Sequence, residues 1–297
     1  MIKIKNFSVR RGEFKVEIEE LTLQGGRNFL IGRNGTGKTT LLNSIAGLID
    51  SKGEVEIGGI DVNSLPPERR RIGLIPQDLL LFGRMSVDDN LRMSIRYGRG
   101  DVAIYQEIVD EMELEPLLSK RANEISLGQA QRVAIARAII SRPLVLLMDE
   151  PFSFQDEIAR LGLISMIDEL SVNYRFEYLY ATHNSKDLEN GFSNLISIDN
   201  GRVVEVVDSV EKIEHFRTLS LLDYRNLVTL DGHNYLLDEK ALIFNDQEGS
   251  EYRIIGTESG KYVRFKMNGN YFFASVKSQP RGKYLKLNIA AAKEIQY

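Results

Sequence analysis

The chain has 297 residues, 43% of them hydrophobic, so it is long enough to form two globular domains. Its formal net charge of −4 excludes the global basic field of a typical nucleic-acid binder. The absence of cysteine excludes disulfides and thiolate metal sites, and it suits a reducing compartment. We expect no membrane span and no secretory signal, because no run of about 18 apolar residues occurs and the N-terminus alternates.

The first predicted elements are a strand, a phosphate-binding loop and a helix. Residues 1–7 alternate between apolar and polar side chains, as a half-buried strand does. The apolar run 28–31 leads into residues 32–40, which fit the pattern G-x-x-x-x-G-K-[ST] at every fixed position. A helical run from Thr39 to Leu48 follows. This order of strand, loop and helix is the context in which the pattern binds phosphate.

The residue types of this loop explain its chemistry. Glycine lets backbone N–H groups converge on phosphate oxygens, and the following helix N-terminus favours negative charge. Lys38 is placed to reach the β- and γ-phosphates, and the Thr39 hydroxyl to reach Mg²⁺. The sequence therefore predicts a nucleoside triphosphate site formed by Gly32, Arg33, Asn34, Gly35, Thr36, Gly37, Lys38, Thr39 and Thr40.

An acidic pair ends a later apolar run. Residues 145–148 are typical of a buried central strand in a parallel sheet, and Asp149 and Glu150 follow them. Ligands bind at the carboxyl edge of such sheets. We expect Asp149 to serve Mg²⁺ and Glu150 to accept a proton from an attacking water. Alone, the pattern fits a solvated acidic turn equally well, and the phosphate loop favours the catalytic interpretation.

A Ser/Gly turn before a helix identifies the family. Residues 123–138, Asn-Glu-Ile-Ser-Leu-Gly-Gln-Ala-Gln-Arg-Val-Ala-Ile-Ala-Arg-Ala, resemble the signature of ATP-binding cassette (ABC) ATPases. Gln77, residues 153–156 and His183 look like the family's Q-loop glutamine, D-loop and switch histidine, in the family's order. Residues 1–207 are therefore similar to a complete ABC nucleotide-binding domain, an α/β P-loop core with a helical subdomain.

The resemblance implies a mechanism. Two cassettes would stack head to tail around two ATP molecules, so that Ser126, Gly128 and Gln129 of one act on the ATP held by the other. Glu150 would polarise the attacking water, and His183 would contact the γ-phosphate. Catalysis of this kind consists mostly of positioning and electrostatics.

The resemblance also places the metal and the base. Gln77 would join Thr39 and Asp149 around Mg²⁺. The family stacks adenine on an aromatic residue upstream of the phosphate loop, and the candidates here are Phe14 and Phe7. We favour Phe14, because it follows a turn and opens an alternating segment.

Two positions depart from the family pattern. Leu127 replaces the first signature glycine, so a bulky side chain stands where backbone meets the partner's γ-phosphate. The D-loop reads Ser-Phe-Gln-Asp, where Ser-Ala-Leu-Asp is usual. Because Glu150 and His183 are both present, we expect an active ATPase with modest turnover.

The segment 78–125, between Gln77 and the signature, is short. It contains a helix opening at residues 88–91 and a helical run from Val102 to Leu118. Such a segment resembles the helical subdomain of transport cassettes, which receives a membrane permease. DNA-repair relatives carry a long coiled coil there, and no sustained heptads occur in this chain. The sequence therefore favours a transporter cassette.

The last part of the chain predicts a second domain. Residues 208–222 are typical of a polar linker, and residues 223–297 of a small β-barrel. Residues 262–267 and 271–274 alternate on either side of an Asn-Gly hairpin turn, and residues 285–289 alternate again. This tail resembles the OB/TOBE-like barrel of ABC importers of molybdate, tungstate, sulfate and sugars.

The charge of the tail is uneven. Residues 251–297 hold nine Lys/Arg against three Glu, so a barrel formed there could bind a regulatory oxyanion. Solvated strand faces would explain the same charge. Nucleic-acid binding is not expected, because the whole chain is negative and the cassette dominates it.

Three functions fit the sequence. The favoured one is the ATP-hydrolysing subunit of an importer, a homodimer at the cytoplasmic face of the membrane beneath a separate permease. An extracytoplasmic substrate-binding protein would belong to the same system, and an oxyanion is the favoured cargo. The alternative is a soluble ABC ATPase without a permease, whose barrel binds RNA or a protein. The third is an exporter, against which the barrel argues.

Overall fold

The computed structural model describes residues 1–97, 100–152, 155, 157–188 and 191–208, together with eight strands between residues 227 and 295. The chain divides into two compact units, Met1–Val206 and Val207–Tyr297. None of the helices in these described ranges is long and apolar enough to cross a membrane.

A ten-stranded sheet forms the centre of the first unit. Its strands, in chain order, are β1 (Ile2–Arg11), β2 (Phe14–Leu23), β3 (Arg27–Ile31), β4 (Lys52–Ile57), β5 (Ile60–Asp61), β6 (Ile72–Ile75), β7 (Val145–Asp149), β8 (Glu177–Thr182), β9 (Asn194–Asp199) and β10 (Arg202–Val207). Their spatial order is β5-β4-β1-β2-β10-β9-β3-β8-β7-β6. Strands β1, β2, β4 and β5 pair antiparallel, whereas β9, β3, β8, β7 and β6 pair in parallel. The site expected at a parallel carboxyl edge therefore belongs to the second group.

The burial of these strands follows their sequence patterns. In β1, Ile2 and Ile4 are buried while Lys5 is exposed, so the alternation at the N-terminus does mark a strand with one core face. Every residue of β7 is buried, as expected for a central parallel strand covered on both faces. The apolar run before Asp149 is thus confirmed as a buried strand.

Five α-helices accompany the sheet in the described residues: α1 (Lys38–Ile45), α2 (Val87–Tyr97), α3 (Val102–Glu111), α4 (Leu127–Ile140) and α5 (Glu157–Tyr174). Helices α2 and α3 both contact α4, so the segment between the Q-loop and the signature is built on the signature helix. Helix α1 begins at the phosphate loop, one residue before the predicted start, and Gly47 follows it at φ 84°.

The predicted helix from Val102 to Leu118 is wrong at its C-terminal end. Helix α3 ends at Glu111, and Glu113 adopts φ 53°, which an α-helix cannot continue through. Pro116 then lacks the N–H that a continuing helix would need, and it sits in a short 3₁₀ turn, Glu115–Leu117. Apolar periodicity alone did not reveal this break.

The second unit is described by its strands: β11 (Leu227–Leu230), β12 (His233–Leu236), β13 (Leu242–Asn245), β14 (Ser250–Thr257), β15 (Gly260–Met267), β16 (Asn270–Val276), β17 (Tyr284–Leu287) and β18 (Lys293–Ile295). They form a three-stranded sheet, β11-β12-β18, and a five-stranded sheet, β13-β17-β14-β15-β16. Met267 pairs with Asn270, as the predicted hairpin requires. The turn at 268–269, Ile289 and most of the predicted linker 208–222 lie outside the described residues, and a closed barrel stays a prediction.

Candidate active site

The candidate site lies where three parallel strands end. Strand β8 is the central one: its Thr182 pairs with Ile31 of β3, and its Ala181 pairs with Asp149 of β7. The loops that follow β3, β7 and β8 therefore leave the sheet side by side. This register brings the phosphate loop, the acidic pair and His183 to one edge.

The phosphate loop is held in shape by a glycine conformation and by two hydrogen bonds of Thr36. Gly37 has φ 108°, and a Cβ there would lie 2.7 Å from Val16 Cγ2, so only glycine fits. The Thr36 hydroxyl donates to the Arg33 carbonyl at 2.8 Å, and the Thr36 carbonyl accepts from Gly201 N–H at 3.0 Å. The loop is thus shaped before any ligand arrives.

Lys38 lies beneath this loop and is only 5% exposed. Its ammonium donates to the Gly32 carbonyl at 2.7 Å and to the Arg33 carbonyl at 3.3 Å. It also pairs with Glu150, Nζ to Oε1, at 3.1 Å. The cation is therefore already held by three oxygen acceptors, one of them charged.

Glu150 joins Lys38 to His183. Its second oxygen, Oε2, lies 2.8 Å from Nδ1 of His183, whose side chain is 56% exposed. An ionised carboxylate only accepts hydrogen bonds, so Nδ1 carries the proton in this contact. Lys38 and His183, which are far apart in the sequence, thus both contact the carboxylate of Glu150.

The backbone of Glu150 is strained. Its φ is 48°, a left-handed conformation that costs of order 1–3 kcal/mol for a residue other than glycine. The Glu150 N–H donates to the Ala181 carbonyl of β8 at 3.0 Å, which fixes this turn of the chain. In this conformation the carboxylate contacts both Lys38 and His183.

Asp149 provides the second carboxylate. It is 8% exposed, and burial raises the pKa of its carboxyl, with the negative charge of Glu150 acting in the same direction. A hydrogen bond from Thr39 and the charge of Lys38 oppose the shift. A carboxylate beside an exposed hydroxyl is a set of hard oxygen ligands, which fits the one or two carboxylates that Mg²⁺ takes beside phosphates.

A cleft of about 380 Å³ opens over Lys38, Asp149 and Glu150, whereas His183 contacts Glu150 without lining the cleft. It is lined by Arg11, Phe14, Asn34, Gly35, Gly37, Lys38, Thr39, Thr40, Gln77, Asp149 and Glu150. Phe14 is half-buried and packs against Gly37, whereas Phe7 is 2% exposed and belongs to the core. Of the two aromatic candidates, only Phe14 is available to a ligand in the cleft.

The signature residues lie elsewhere. Ser126 precedes α4 and forms a capping box with Gln129: the Gln129 N–H donates to Ser126 Oγ, and the Ser126 N–H donates to Gln129 Oε1 at 3.0 Å. Leu127 is 47% exposed, and Gly128 adjoins the Gln155 side chain. None of these four signature positions lines the cleft described above, so one chain brings together the phosphate loop, Gln77, Asp149, Glu150 and His183 but not the signature.

Several contacts of the site were not predicted from the sequence. Arg137 of α4 donates to the carbonyls of Leu79 and Leu80, each at 2.9 Å, and both leucines have positive φ. Gln131 donates to the Pro151 carbonyl and accepts from Gln155, each at 2.6 Å. The sequence shows only that α4 carries polar residues among apolar ones, which does not name their partners.

Comparison with known proteins supports the family. Residues 19–153 match the family model described as ABC transporter. A molybdate/tungstate import ATP-binding protein of Pyrococcus horikoshii is 34% identical over 214 residues, which are 70% of this chain and 62% of that protein. A spermidine/putrescine import ATP-binding protein of Lawsonia intracellularis is 33% identical over 214 residues, 69% of this chain and 58% of that protein. The chain therefore spans less than two thirds of the length of each relative.

The solved structures agree with this result. A dimeric ATP-binding cassette in a post-hydrolysis state, bound to ADP and Pi, has a TM-score of 0.61 and 27% identity, over 70% of this chain and 98% of that cassette. The matched share of this chain is close to the length of the first unit, Met1–Val206. The ABC transporter model thus matches residues 19–153 of this chain, within a unit that has the α/β P-loop fold of the ABC ATPases.

Proposed function

We propose that this chain binds and hydrolyses ATP as the nucleotide-binding subunit of an ABC importer. The contact of Lys38, Glu150 and His183 at the mouth of the phosphate loop carries the proposal. A cation for the phosphates, a carboxylate for the attacking water and an imidazole for the γ-phosphate are groups that phosphoryl transfer to water can use. Their contact supports hydrolysis as well as binding.

Binding would begin with an exchange at Lys38. The phosphates offer oxygen acceptors beside the α1 N-terminus, whose free amides and dipole favour anions. Lys38 would turn from Glu150 to the β- and γ-phosphates. Phe14, at the edge of the same cleft, would stack on the adenine.

Hydrolysis would then use the released carboxylate. Glu150 would accept the proton of the attacking water, and His183 would contact the γ-phosphate as charge develops on it. Thr39, Asp149 and Gln77 would hold Mg²⁺, which neutralises phosphate charge when it is bound.

A second copy of the chain would complete the site. Ser126, Gly128 and Gln129 lie outside the cleft of their own chain, so they are available to the nucleotide of a partner. The dimeric cassette to which the first unit is similar supports this arrangement. We propose a head-to-tail homodimer that ATP binding closes and hydrolysis opens.

The transport role rests on the relatives, both of which are import ATP-binding proteins. We propose that the homodimer works at the cytoplasmic face of the membrane, with the helical segment 78–125 of each copy receiving a permease subunit. A substrate-binding protein would deliver the cargo. An oxyanion is the proposed cargo, since one relative imports molybdate or tungstate and residues 251–297 are basic. Residues 223–297 would form the regulatory barrel.

Two variants test the hydrolysis. Lys38→Ala should abolish ATP binding, measured by calorimetry. Glu150→Gln should keep ATP binding, reduce turnover by about 10²–10⁴-fold and accumulate an ATP-bound dimer, seen by size-exclusion chromatography. Lys52→Ala, which removes an exposed lysine of β4, is the matched control and should behave like wild type. Wild-type turnover in Glu150→Gln would remove Glu150 from the mechanism.

A thermal melt of the full chain tests the cargo. Molybdate, tungstate, sulfate, phosphate, simple sugars and spermidine are compared without nucleotide. A ligand at about 100 times its Kd adds roughly 2.7 kcal/mol of stability. We expect a shift in melting temperature with one oxyanion. The phosphate loop itself could bind an anion, so Lys38→Ala serves as the control, and the shift should persist in it. A shift with spermidine alone would contradict the oxyanion proposal.

A further inference from the structure

A buried polar network lies under the loop that carries His183. Arg160 of α5 is 7% exposed and Asp187 is 1% exposed. Arg160 Nε donates to Asp187 Oδ1 at 2.6 Å. The other carboxylate oxygen, Oδ2, accepts from the Thr182 hydroxyl at 2.6 Å, and Thr182 is 3% exposed.

The hydroxyl of Thr182 links both sides of His183. It donates its one proton to Asp187, so its lone pairs are left to accept from the Asn184 N–H at 3.0 Å. Thr182 is the residue before His183, and Asn184 is the residue after it. The directions of these hydrogen bonds are set by Asp187, since a carboxylate only accepts.

The same strand end also fixes Glu150. The carbonyl of Ala181, the residue before Thr182, accepts from the Glu150 N–H. Of three consecutive residues at this strand end, Ala181 holds the backbone of Glu150 and Thr182 joins the buried network. The third, His183, carries the imidazole that contacts Glu150.

Stability alone does not account for this arrangement. A buried ion pair contributes little net free energy to folding, because desolvation offsets the attraction. Tyr180 lies in the same network with a hydroxyl whose pKa burial raises, so it adds a neutral polar group and no further charge. The network instead bears on the geometry of the loop. Thr182 and Asn184, the residues on either side of His183, both take part in it.

We propose that Thr182 and Asp187, with Arg160, are positioning residues that hold His183 Nδ1 on the carboxylate of Glu150. The inference rests on the proposed ATP hydrolysis and names three residues that serve it without touching the nucleotide. A displacement of about 1 Å in a catalytic group lowers turnover by roughly 10²-fold. Loss of the hydroxyl should therefore affect kcat and leave ATP binding intact.

The first test is steady-state ATP hydrolysis by the full chain. Thr182→Val keeps the shape of the side chain and removes the hydroxyl, and we expect kcat to fall about 10–100-fold with KM unchanged. Thr182→Ser restores the hydroxyl and should restore kcat. Ser171→Ala removes another buried hydroxyl, which donates to the Asp168 carbonyl far from the cleft, and should change neither constant.

A double variant separates positioning from general damage. If Thr182 acts through His183, then Thr182→Val should cause no further loss in a His183→Ala background. An equal fall of kcat in both backgrounds would overturn the proposal. So would wild-type kcat in Thr182→Val.

A readout without ATP keeps the inference separate from the proposed function. The chain has three histidines, so ¹⁵N-histidine NMR can follow His183, assigned by its loss in His183→Ala. We expect the Nδ1–H tautomer in wild type and in Thr182→Ser, and a mixture of tautomers in Thr182→Val. If wild type hydrolyses no ATP, the proposed function fails, and the tautomer still decides the positioning. An unchanged tautomer in Thr182→Val would refute it.

Discussion

Two helices of the first unit begin at a turn that contains serine or threonine and glycine, and they begin differently. Helix α1 follows Gly37, which has no side-chain cap, so its first amides face the cleft. Helix α4 follows Ser126, whose side chain and that of Gln129 satisfy each other's backbone N–H groups. One helix start is open to an anion, and the other is closed by its own residues.

The difference shows where nucleotide binding must change the protein. In the proposed binding step, phosphate would enter the α1 start by replacing Glu150 at Lys38. At the α4 start, the nucleotide of the proposed partner would have to open the capping box or use the amides of Leu127 and Gly128 alone. The exposed Leu127 side chain stands beside those amides. We expect the second contact to be weaker and to form after the first.

Exchanging glycine for alanine at the start of each helix should give the largest difference, measured as ATP binding. Gly37→Ala places a residue at φ 108° and against Val16, which costs roughly 1–2 kcal/mol for the backbone and about 1–3 kcal/mol for the contact. ATP binding, measured by calorimetry, should be lost. Gly128→Ala meets only Gln155, at an ordinary 3.4 Å, and should bind ATP as wild type does. Equal ATP affinities in the two variants would contradict the proposed difference between the two helix starts.

Asp149→Asn should raise the melting temperature and stop Mg²⁺-dependent turnover. Burial raises the pKa of Asp149 in the folded state, so its ionised form destabilises the protein near neutral pH. As the pH falls, folded wild type takes up the proton before the unfolded chain does. The difference in melting temperature between the variant and wild type should therefore disappear. Melts between about pH 4 and pH 7 test this sign. The exposed Asp110→Asn is the control, and a gap that widens on acidification would contradict the prediction.

Ser126→Ala should cost about 1 kcal/mol, because it removes the cap of α4. The melting temperature should fall by about 2–4 °C, while the nucleotide affinity of the monomer stays the same. Ser141→Ala, at the other end of the same helix, removes a hydroxyl that donates to the Ala138 carbonyl and should cost less. A weaker nucleotide affinity in monomeric Ser126→Ala would show that the signature acts within its own chain.

Leu127→Gly should have the smallest effect on stability, a loss of about 0.5–1 kcal/mol from added backbone freedom. It should nevertheless strengthen the ATP-bound dimer of Glu150→Gln, because glycine lets a partner's phosphate approach the α4 amides. Dimer dissociation constants by analytical ultracentrifugation test this. An unchanged dimer would mean that Leu127 does not obstruct the contact.

Local motifs predicted the phosphate loop and the acidic pair, and the family resemblance predicted Gln77 and His183, but the sequence missed several side-chain contacts between distant segments. The phosphate loop and the acidic end of β7 were readable because each uses residues close together in the chain. The contacts of Arg137 with Leu79 and Leu80, and of Arg160 with Asp187, join segments whose distance no periodicity encodes. The end of α3 was missed for a different reason: apolar residues continue past Glu111, and only the backbone of Glu113 and Pro116 stops the helix.

The pairing of β8 with two neighbours has a consequence for the whole chain. Side chains alternate along a strand, so a slip of one residue would exchange the directions of Thr182 and His183. The imidazole would then point into the protein and the hydroxyl toward the nucleotide. Because β3, β7 and β8 come from distant segments, the correct alignment exists only after long-range folding is complete. A misaligned or half-folded chain would therefore lack the proposed catalytic arrangement until its central strand is in register.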